Sequence, residues 1–232
     1  MTERSGRDGK RVVPSPKRKI EWYRRTDWSA EVESDFEARL ARSRGQRPQY
    51  LCIQGLELIN AGGEQRIRKG LELIERYLST YADHFDRGPA HKARAKGLIG
   101  LGDVDGAFEA YRMSCQTQRL RPNIGTDAYL DFGFLAITRK RQDLYAEAER
   151  LLDEFGGRGS APFPVQQYKH YAVRAVVSDW RGERGAARSY ARLALEAASK
   201  KTSGFRYHAD LGLVTHTDTL LHVELTRLAR AT

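Results

Sequence analysis

Residues 102–111 read GDVDGAFEAY, a Gly-Asp turn that leads into a helix with a small residue near its start and an aromatic residue four positions later. Ala107 fills the small position and Tyr111 the aromatic one, so both lie on one face of the helix. Two antiparallel helices can approach closely only where side chains are small. The stretch therefore predicts a helical hairpin whose second helix begins just after Gly102.

The same order of helix, short turn and helix extends in both directions from this stretch. Glycine and proline breakers divide residues 48–200 into four predicted helix pairs. The predicted helices are 48–61 with 64–82, 89–101 with 104–120, 125–140 with 143–155, and 164–181 with 184–199. The small residues at corresponding positions are Gly70, Ala107, Ala148 and Ala187, separated by 37, 41 and 39 residues. In the third pair, we expect Asp143 to replace the turn glycine, and we expect Gly55 and Gly97 to permit close helix packing.

This pattern resembles the tetratricopeptide motif over roughly residues 48–200. The unit of that family is about 34 residues, so the repeats in this chain are long and degenerate. The resemblance implies an all-α fold: a right-handed α-solenoid of about four antiparallel helix pairs with N- and C-terminal capping helices. A related α-solenoid with helix pairs of about 40 residues fits the spacing nearly as well.

The chain is expected to divide into four segments. They are a disordered basic tail at 1–18, an N-terminal capping helix within 19–47, the tetratricopeptide-like repeats at 48–200, and a C-terminal loop and capping helix at 201–232. The last helix, predicted at about 217–230, has an apolar face of Leu221, Leu225 and Leu228. The loop before it, which begins at Phe205, is expected to lay aromatic side chains on the last repeat.

Composition and charge favour a cytoplasmic, non-membrane protein. The chain has a formal net charge of +10, and six of those charges lie in residues 1–25. The sequence has 2 cysteines, Cys52 and Cys115, which are too few for a disulfide scaffold and are expected to be small packing residues. The basic N-terminus is followed by no apolar stretch, so no secretory signal is predicted. The longest charge-free windows, of about ten residues, are too short to predict a membrane span.

The resemblance also implies a binding surface, because the first helices of stacked helix pairs line a concave face that takes an extended segment or a helix of a partner protein. In the register given above, the residues expected on that face are Lys92, Lys96, Ile99, Ile137, Lys140, Arg141, Lys169, Val176 and Trp180. A basic groove with an apolar floor suits an acidic peptide or a terminal carboxylate. The predicted function is therefore a protein-binding scaffold or adaptor. The simpler interpretation is that these lysines only solvate exposed helix faces.

The alternative function is a nucleic-acid-associated regulatory protein that uses the basic tail and the groove. Phosphate neutralisation requires clustered Lys and Arg, and single strands also need stacking aromatic rings. Trp22 and Tyr23 lie beside the tail and could supply such rings. No recognised nucleic-acid motif is present.

Signals for catalysis are weak, and we expect neither an enzyme nor a cofactor. The one cluster of metal-ligand residue types is His208, Asp210, His216, Asp218 and His222. Its spacing fits neither a HExxH helix nor a zinc finger. Asp218 is expected instead to cap the last helix, so no catalytic or metal-binding residue is predicted.

Overall fold

The computed structural model describes residues 21–157 and 162–231, which form ten α-helices and no β-strand. The helices are α1 (Ala30–Arg42), α2 (Arg47–Ala61), α3 (Glu64–Thr80), α4 (Arg87–Gly100), α5 (Val104–Leu120), α6 (Ala128–Thr138), α7 (Tyr145–Gly156), α8 (Pro164–Trp180), α9 (Arg184–Ser199) and α10 (Thr219–Arg230). The all-α prediction is confirmed. The tail predicted at residues 1–18 lies outside the described residues.

Most helix ends fall within a few residues of their predicted positions, but α6 begins later than expected, at Ala128 rather than at residue 125. The reason is the side chain of Gln118, whose Oε1 accepts hydrogen bonds from the backbone N and the Oγ1 of Thr126 at 3.0 and 3.2 Å. The hydroxyls of Ser114 and Thr126 also lie 3.1 Å apart. These bonds hold the preceding segment against α5 and delay the start of the helix.

The turn between α6 and α7 corrects the prediction for Asp143. Lys140, with φ +52°, has the left-handed backbone that Gly102 and Gly182 adopt in their turns, with φ +83° and +80°. The backbone N–H of Lys140 donates to the carbonyl three residues earlier, as those of the two glycines do. Lys140 therefore replaces the turn glycine, and a single 3₁₀ turn at Gln142–Leu144 separates it from α7.

The helices pack as neighbouring pairs. The helices of each pair contact each other closely: α2 with α3, α4 with α5, α6 with α7, and α8 with α9. Contacts of α3 with α4, α5 with α6 and α7 with α8 join successive pairs, while α1 lies against α2, and α10 packs on α9 and α8. The first helices of the pairs are α2, α4, α6 and α8, and among neighbours in this series α4 and α6 pack least closely.

Small residues permit the close crossings, as predicted. A Cβ atom built on Gly70 would lie 2.6 Å from the carbonyl oxygen of Gly55, and one built on Gly55 would lie 2.9 Å from the carbonyl oxygen of Gly70. A Cβ on Gly97 would lie 2.7 Å from Leu71. The backbones of α2 and α3 can therefore meet only where both residues are glycine.

Cys52 and Cys115 are buried packing residues, as predicted. Burial raises the pKa of each thiol to about 12, so neither is ionised at neutral pH. In residues 21–157 and 162–231, no helix combines the length and the apolar character that crossing a bilayer would require.

Candidate functional site

Two adjoining cavities open beside α4 and α6, where the first helices pack least closely. Their volumes are about 600 and 360 Å³, and they share Tyr111, Asp131 and Lys169. The larger cavity extends to Leu56 and Asn60 of α2, and the smaller one to Asp218 before α10. We call the surface of these two cavities the groove. It crosses α2, α4, α6 and α8, and Tyr111 reaches it from α5.

The centre of the groove is a network of opposite charges. Lys92 bonds Asp127, and its Nζ lies 3.3 Å from Oδ2 of Asp131. The Nζ of Lys169 bonds Oδ1 of Asp131 at 2.5 Å. Both lysines had been expected to make the groove basic. The structure corrects that expectation, because the two aspartates neutralise them.

Lys92 and Asp127 are both charged at neutral pH. Burial alone would raise the pKa of Asp127, but Lys92 holds that pKa below its usual value. Burial alone would lower the pKa of Lys92, but Asp131 and Asp127 raise it. The partners therefore stabilise each other as ions, and the desolvation cost of each is offset by its neighbour.

Tyr111 is the groove residue that sequence reasoning missed, because the repeat pattern assigned it only a packing position. The residue is 5% exposed, yet it lines both cavities. Burial raises the pKa of its hydroxyl, and Asp131 and Asp127 raise it further, so the hydroxyl keeps its proton. It makes no hydrogen bond to another described residue. The O–H group is thus free to bond a ligand in the groove.

Two exposed cations of the groove have no carboxylate partner among the described residues. The Nζ of Lys96 bonds the neutral Oδ1 of Asn60 at 2.6 Å. Arg139, which the sequence did not single out, lines the smaller cavity and forms no ion pair within residues 21–157 and 162–231. Lys96 lies on the wall of the larger cavity. Each cavity therefore offers one cation that a bound acid could pair with.

Of three predicted aliphatic residues, Ile99 lies where expected, whereas Ile137 and Val176 do not. Ile99 lines the smaller cavity and is partly buried. Ile137 and Val176 are buried at 3% and 6% exposure, so they belong to the core. The reason is the face they share with Gly133, where a Cβ would lie 3.1 Å from Val173 of α8. That face of α6 and α8 is turned towards neighbouring helices and is not available to a partner.

The remaining predicted residues lie at helix ends and line neither cavity. Lys140 lies in the turn after α6, and Arg141 bonds Asp105 and Asp143 while its guanidinium covers the ring of Phe108 at 5.5 Å. Trp180 ends α8, is half-exposed and makes an edge contact with Tyr145. The predicted face thus includes Lys92, Lys96, Ile99 and Lys169 in the groove, and not the other five residues.

The aromatic residues beside the tail are packed against the first helix pair. The ring centroids of Trp22 and Tyr23 lie 4.8 and 4.5 Å from that of Tyr50. Trp22 also contacts Phe36 of α1. Both rings help to cover the N-terminal core and are not free platforms for bases.

The histidine and aspartate residues near the C-terminus do not form a shared site. Asp218 caps α10, as predicted, because its Oδ1 accepts a hydrogen bond from the backbone N of Leu221 at 2.9 Å. His216 bonds Thr215, and His222 is exposed on α10. Across residues 21–157 and 162–231, no three or more His, Cys, Asp or Glu side chains are grouped to hold a metal ion.

The groove is the arrangement in the described structure that best combines concavity, unused donors and a defined charge pattern. Its donors are the hydroxyl of Tyr111 and the cations of Lys96 and Arg139, and its acceptors are the carboxylates of Asp127 and Asp131. Such a surface can bind a chain that carries both kinds of group. Comparisons of this chain with models of protein families, with curated proteins and with solved structures found no match.

Proposed function

We propose that the chain is a protein-binding scaffold or adaptor that holds an extended segment of a partner protein in the groove. The proposal includes the arrangement of the helix pairs as a right-handed α-solenoid. Polar contacts that recur about one helix pair apart support this arrangement. They join Asn60 to Lys96, Lys92 to Asp127, Asp131 to Lys169, Arg112 to Glu147, and Arg119 to Glu154, at separations of 36, 35, 38, 35 and 35 residues. In a solenoid each repeat contacts its neighbours in this way.

The observation that carries the binding proposal is the continuity of the groove. Its two cavities share three residues and together reach four first helices. An extended peptide has free N–H and C=O groups along its length, and the groove offers both donors and acceptors to them. Leu56 is exposed in the larger cavity, and Phe134 lies in the smaller one, so apolar side chains can also be bound.

The charge pattern refines the class of partner. Lys92 and Lys169 are already paired, so they have little attraction left for a continuous acidic run. Asp131 at the centre is paired with both lysines, so this part of the groove offers such a run no net attraction. Lys96 and Arg139, one in each cavity, are the cations to which carboxylates can bind. The groove therefore fits a segment with separated acidic residues and neutral or apolar residues between them.

The test compares capture of partners from native-host lysate by three forms of the full chain, with and without nuclease. The forms are wild type, the double variant Lys96→Glu with Arg139→Glu, and the control Lys140→Glu. We expect wild type and control to retain the same protein after nuclease treatment and the double variant to lose it. Equal retention by all three forms would refute the groove, and loss of all material with nuclease would favour nucleic acid.

A second variant tests the groove without changing its charge. Tyr111→Phe removes a hydroxyl that bonds no described residue, so the fold should be unaffected. A lost hydrogen bond to the partner should weaken binding by about 1 kcal/mol, or about fivefold. The measurement is a calorimetric titration with the captured segment, and unchanged affinity would place that segment away from Tyr111.

A further inference from the structure

The loop between α9 and α10 exposes aromatic side chains that the core does not cover. We call residues 203–211 the aromatic loop. Tyr207 is 80% exposed and Phe205 is 43% exposed, and Leu211 is also half-exposed. The sequence had predicted that this loop lays its aromatic residues on the last repeat. Phe205 meets that expectation in part, because it stacks on Phe163 at 5.2 Å, whereas Tyr207 does not.

The aromatic loop is closed by its own hydrogen bonds. The backbone N of Ser203 donates to the carbonyl of Ala209 at 2.7 Å, and its Oγ donates to the carbonyl of His208 at 2.8 Å. Gly204 turns the chain with φ +82°, a conformation that costs glycine little. The exposed rings are therefore presented by a folded loop of defined shape.

The aromatic loop is also anchored to the start of α8. The backbone N of Val165 donates to the carbonyl of Gly212 at 2.8 Å. Gly212 has φ +71°, and a Cβ on it would lie 2.5 Å from the ring of Phe163. This contact fixes the base of the loop while its tip, at Tyr207, points to solvent.

Basic residues lie within the aromatic loop and directly before it. Lys200 and Lys201 precede the loop, and the guanidinium of Arg206 lies 5.4 Å from the ring centroid of Tyr207. Lys200 bonds the neutral Oε1 of Gln167 at 2.8 Å. Lys201 and Arg206 form no ion pair with any residue that the structure describes. Asp210 is the one acidic residue between positions 200 and 211, so the surface has a local positive charge.

We propose that the aromatic loop binds single-stranded nucleic acid, at a site separate from the groove. A base stacks on Tyr207, and the free face or edge of Phe205 contacts a second base. Lys201 and Arg206 neutralise the adjacent phosphates. Exposed aromatic rings beside unpaired cations are the features that single-strand binding uses, because every base has a face that can stack and every nucleotide carries a charge.

The first measurement is fluorescence anisotropy of a labelled oligothymidylate of about 12 nucleotides. The full chain is used, so that any contribution of the N-terminal residues is the same in every variant. We expect Tyr207→Ala to weaken binding about tenfold and Tyr207→Phe to keep the wild-type affinity. Lys201→Ala should reduce the slope of log affinity against log salt by about 0.7. The controls are Leu120→Ala and Arg150→Ala, which remove an exposed apolar and an exposed basic side chain elsewhere.

The second measurement locates the contact directly. An oligonucleotide with 5-iodouridine is cross-linked to the wild-type chain by ultraviolet light, and the linked peptide is identified by mass spectrometry. A cross-link at Tyr207 or Phe205 is the expected result. Cross-links confined to other residues, with the affinity of Tyr207→Ala unchanged, would overturn the proposal.

Membrane binding is the competing interpretation of exposed rings beside cations, and the same variants distinguish it. Vesicles of phosphatidylcholine with about a third phosphatidylserine are sedimented with wild type and with Tyr207→Ala. Sedimentation that depends on Tyr207, together with oligonucleotide binding that does not, would assign the aromatic loop to lipid and refute the proposal. The groove variants leave the aromatic loop unchanged, and the loop variants leave the groove unchanged. Nucleic-acid binding by the loop and protein binding by the groove can therefore be refuted separately.

Discussion

His91 is a residue whose burial should make the stability of the protein depend on pH. It is 6% exposed, and neither ring nitrogen has a hydrogen-bond partner among the described residues. Burial and, to a lesser extent, the nearby charges of Arg87 and Arg94 lower its pKa from 6.5 to about 4, although Glu75 acts in the opposite direction. The unfolded protein therefore binds a proton on His91 more tightly than the folded protein does.

The sign of the effect follows from the lowered pKa. The folded protein keeps its full stability above pH 6.5, and it loses this contribution as the pH falls towards about 4. The total loss should be about 3 kcal/mol. Urea titrations of wild type and His91→Leu at several pH values measure this loss. The free energy of unfolding of the variant should lack this part of the pH dependence. Parallel pH curves for the two proteins would show that His91 does not carry the effect.

Lys140 is strained by its left-handed backbone, which side chains with a Cβ adopt at a cost. Lys140→Gly should raise the free energy of unfolding by about 1 kcal/mol. The matched change is Gly102→Ala, which introduces a Cβ at the corresponding turn residue, where φ is +83°. It should lower the free energy of unfolding by a similar amount. Thermal unfolding of the two variants gives the comparison. Changes of the same sign would contradict the assignment of Lys140 to the turn position.

At the scale of elements, the crossing of α2 and α3 depends on glycine. Gly70→Ala would bring a Cβ within 2.6 Å of a backbone carbonyl, which cannot move without displacing the whole helix. We expect a loss of about 2 to 3 kcal/mol. In contrast, Gly185→Ala in α9 meets no atom within 4 Å and should stabilise the protein by up to about 1 kcal/mol. Chemical denaturation of both variants tests whether the crossing, rather than helix propensity, decides the result.

The sequence predicted the elements well, because the signals for them are local. Gly102 and Gly182 mark turns by their own conformational freedom, and apolar spacing within one helix identifies its buried face. The charge pattern of the groove could not be predicted in the same way. Lys92 bonds Asp127, 35 residues away directly before α6, and Lys169 bonds Asp131, 38 residues away on α6. Such pairing depends on how the helices pack, which no local pattern encodes.

The same limit explains the incorrect apolar positions. Ile137 and Val176 were assigned to the binding face from the register of the repeat, which expects one open face on each first helix. In the structure, α6 and α8 each pack against at least three other helices, so more than one face of each is buried. Tyr111 was assigned only to packing, but in the structure the same side chain also lines both cavities of the groove.

At the scale of the whole molecule, α10 closes the C-terminal end of the packed helices. Leu225 is fully buried against α8 and α9, whereas Val223 on the same helix is exposed. Leu225→Ala should cost about 3 kcal/mol, and Val223→Ala should cost little. If the helix pairs form a solenoid, the damage should remain local.

Hydrogen exchange monitored by mass spectrometry measures where the damage occurs. In Leu225→Ala we expect faster exchange in α8, α9 and α10 and little change in α2 and α3. Uniformly faster exchange along the chain would indicate one cooperative unit and would argue against the proposed solenoid.

The loose approach of α4 to α6 leaves a seam in the packing of the first helices. On one side of this seam, α5 packs on α6 through apolar side chains, and Phe108 and Phe132 lie 5.1 Å apart. On the other side, the Lys92 ion pairs span the gap, and water can replace ionic contacts more readily than it can enter a packed core. We therefore expect the seam to resist opening on the α5 side, where apolar side chains pack, more than on the side of the groove, where ion pairs span it. The width of the groove should vary more than the packing of α5 on α6.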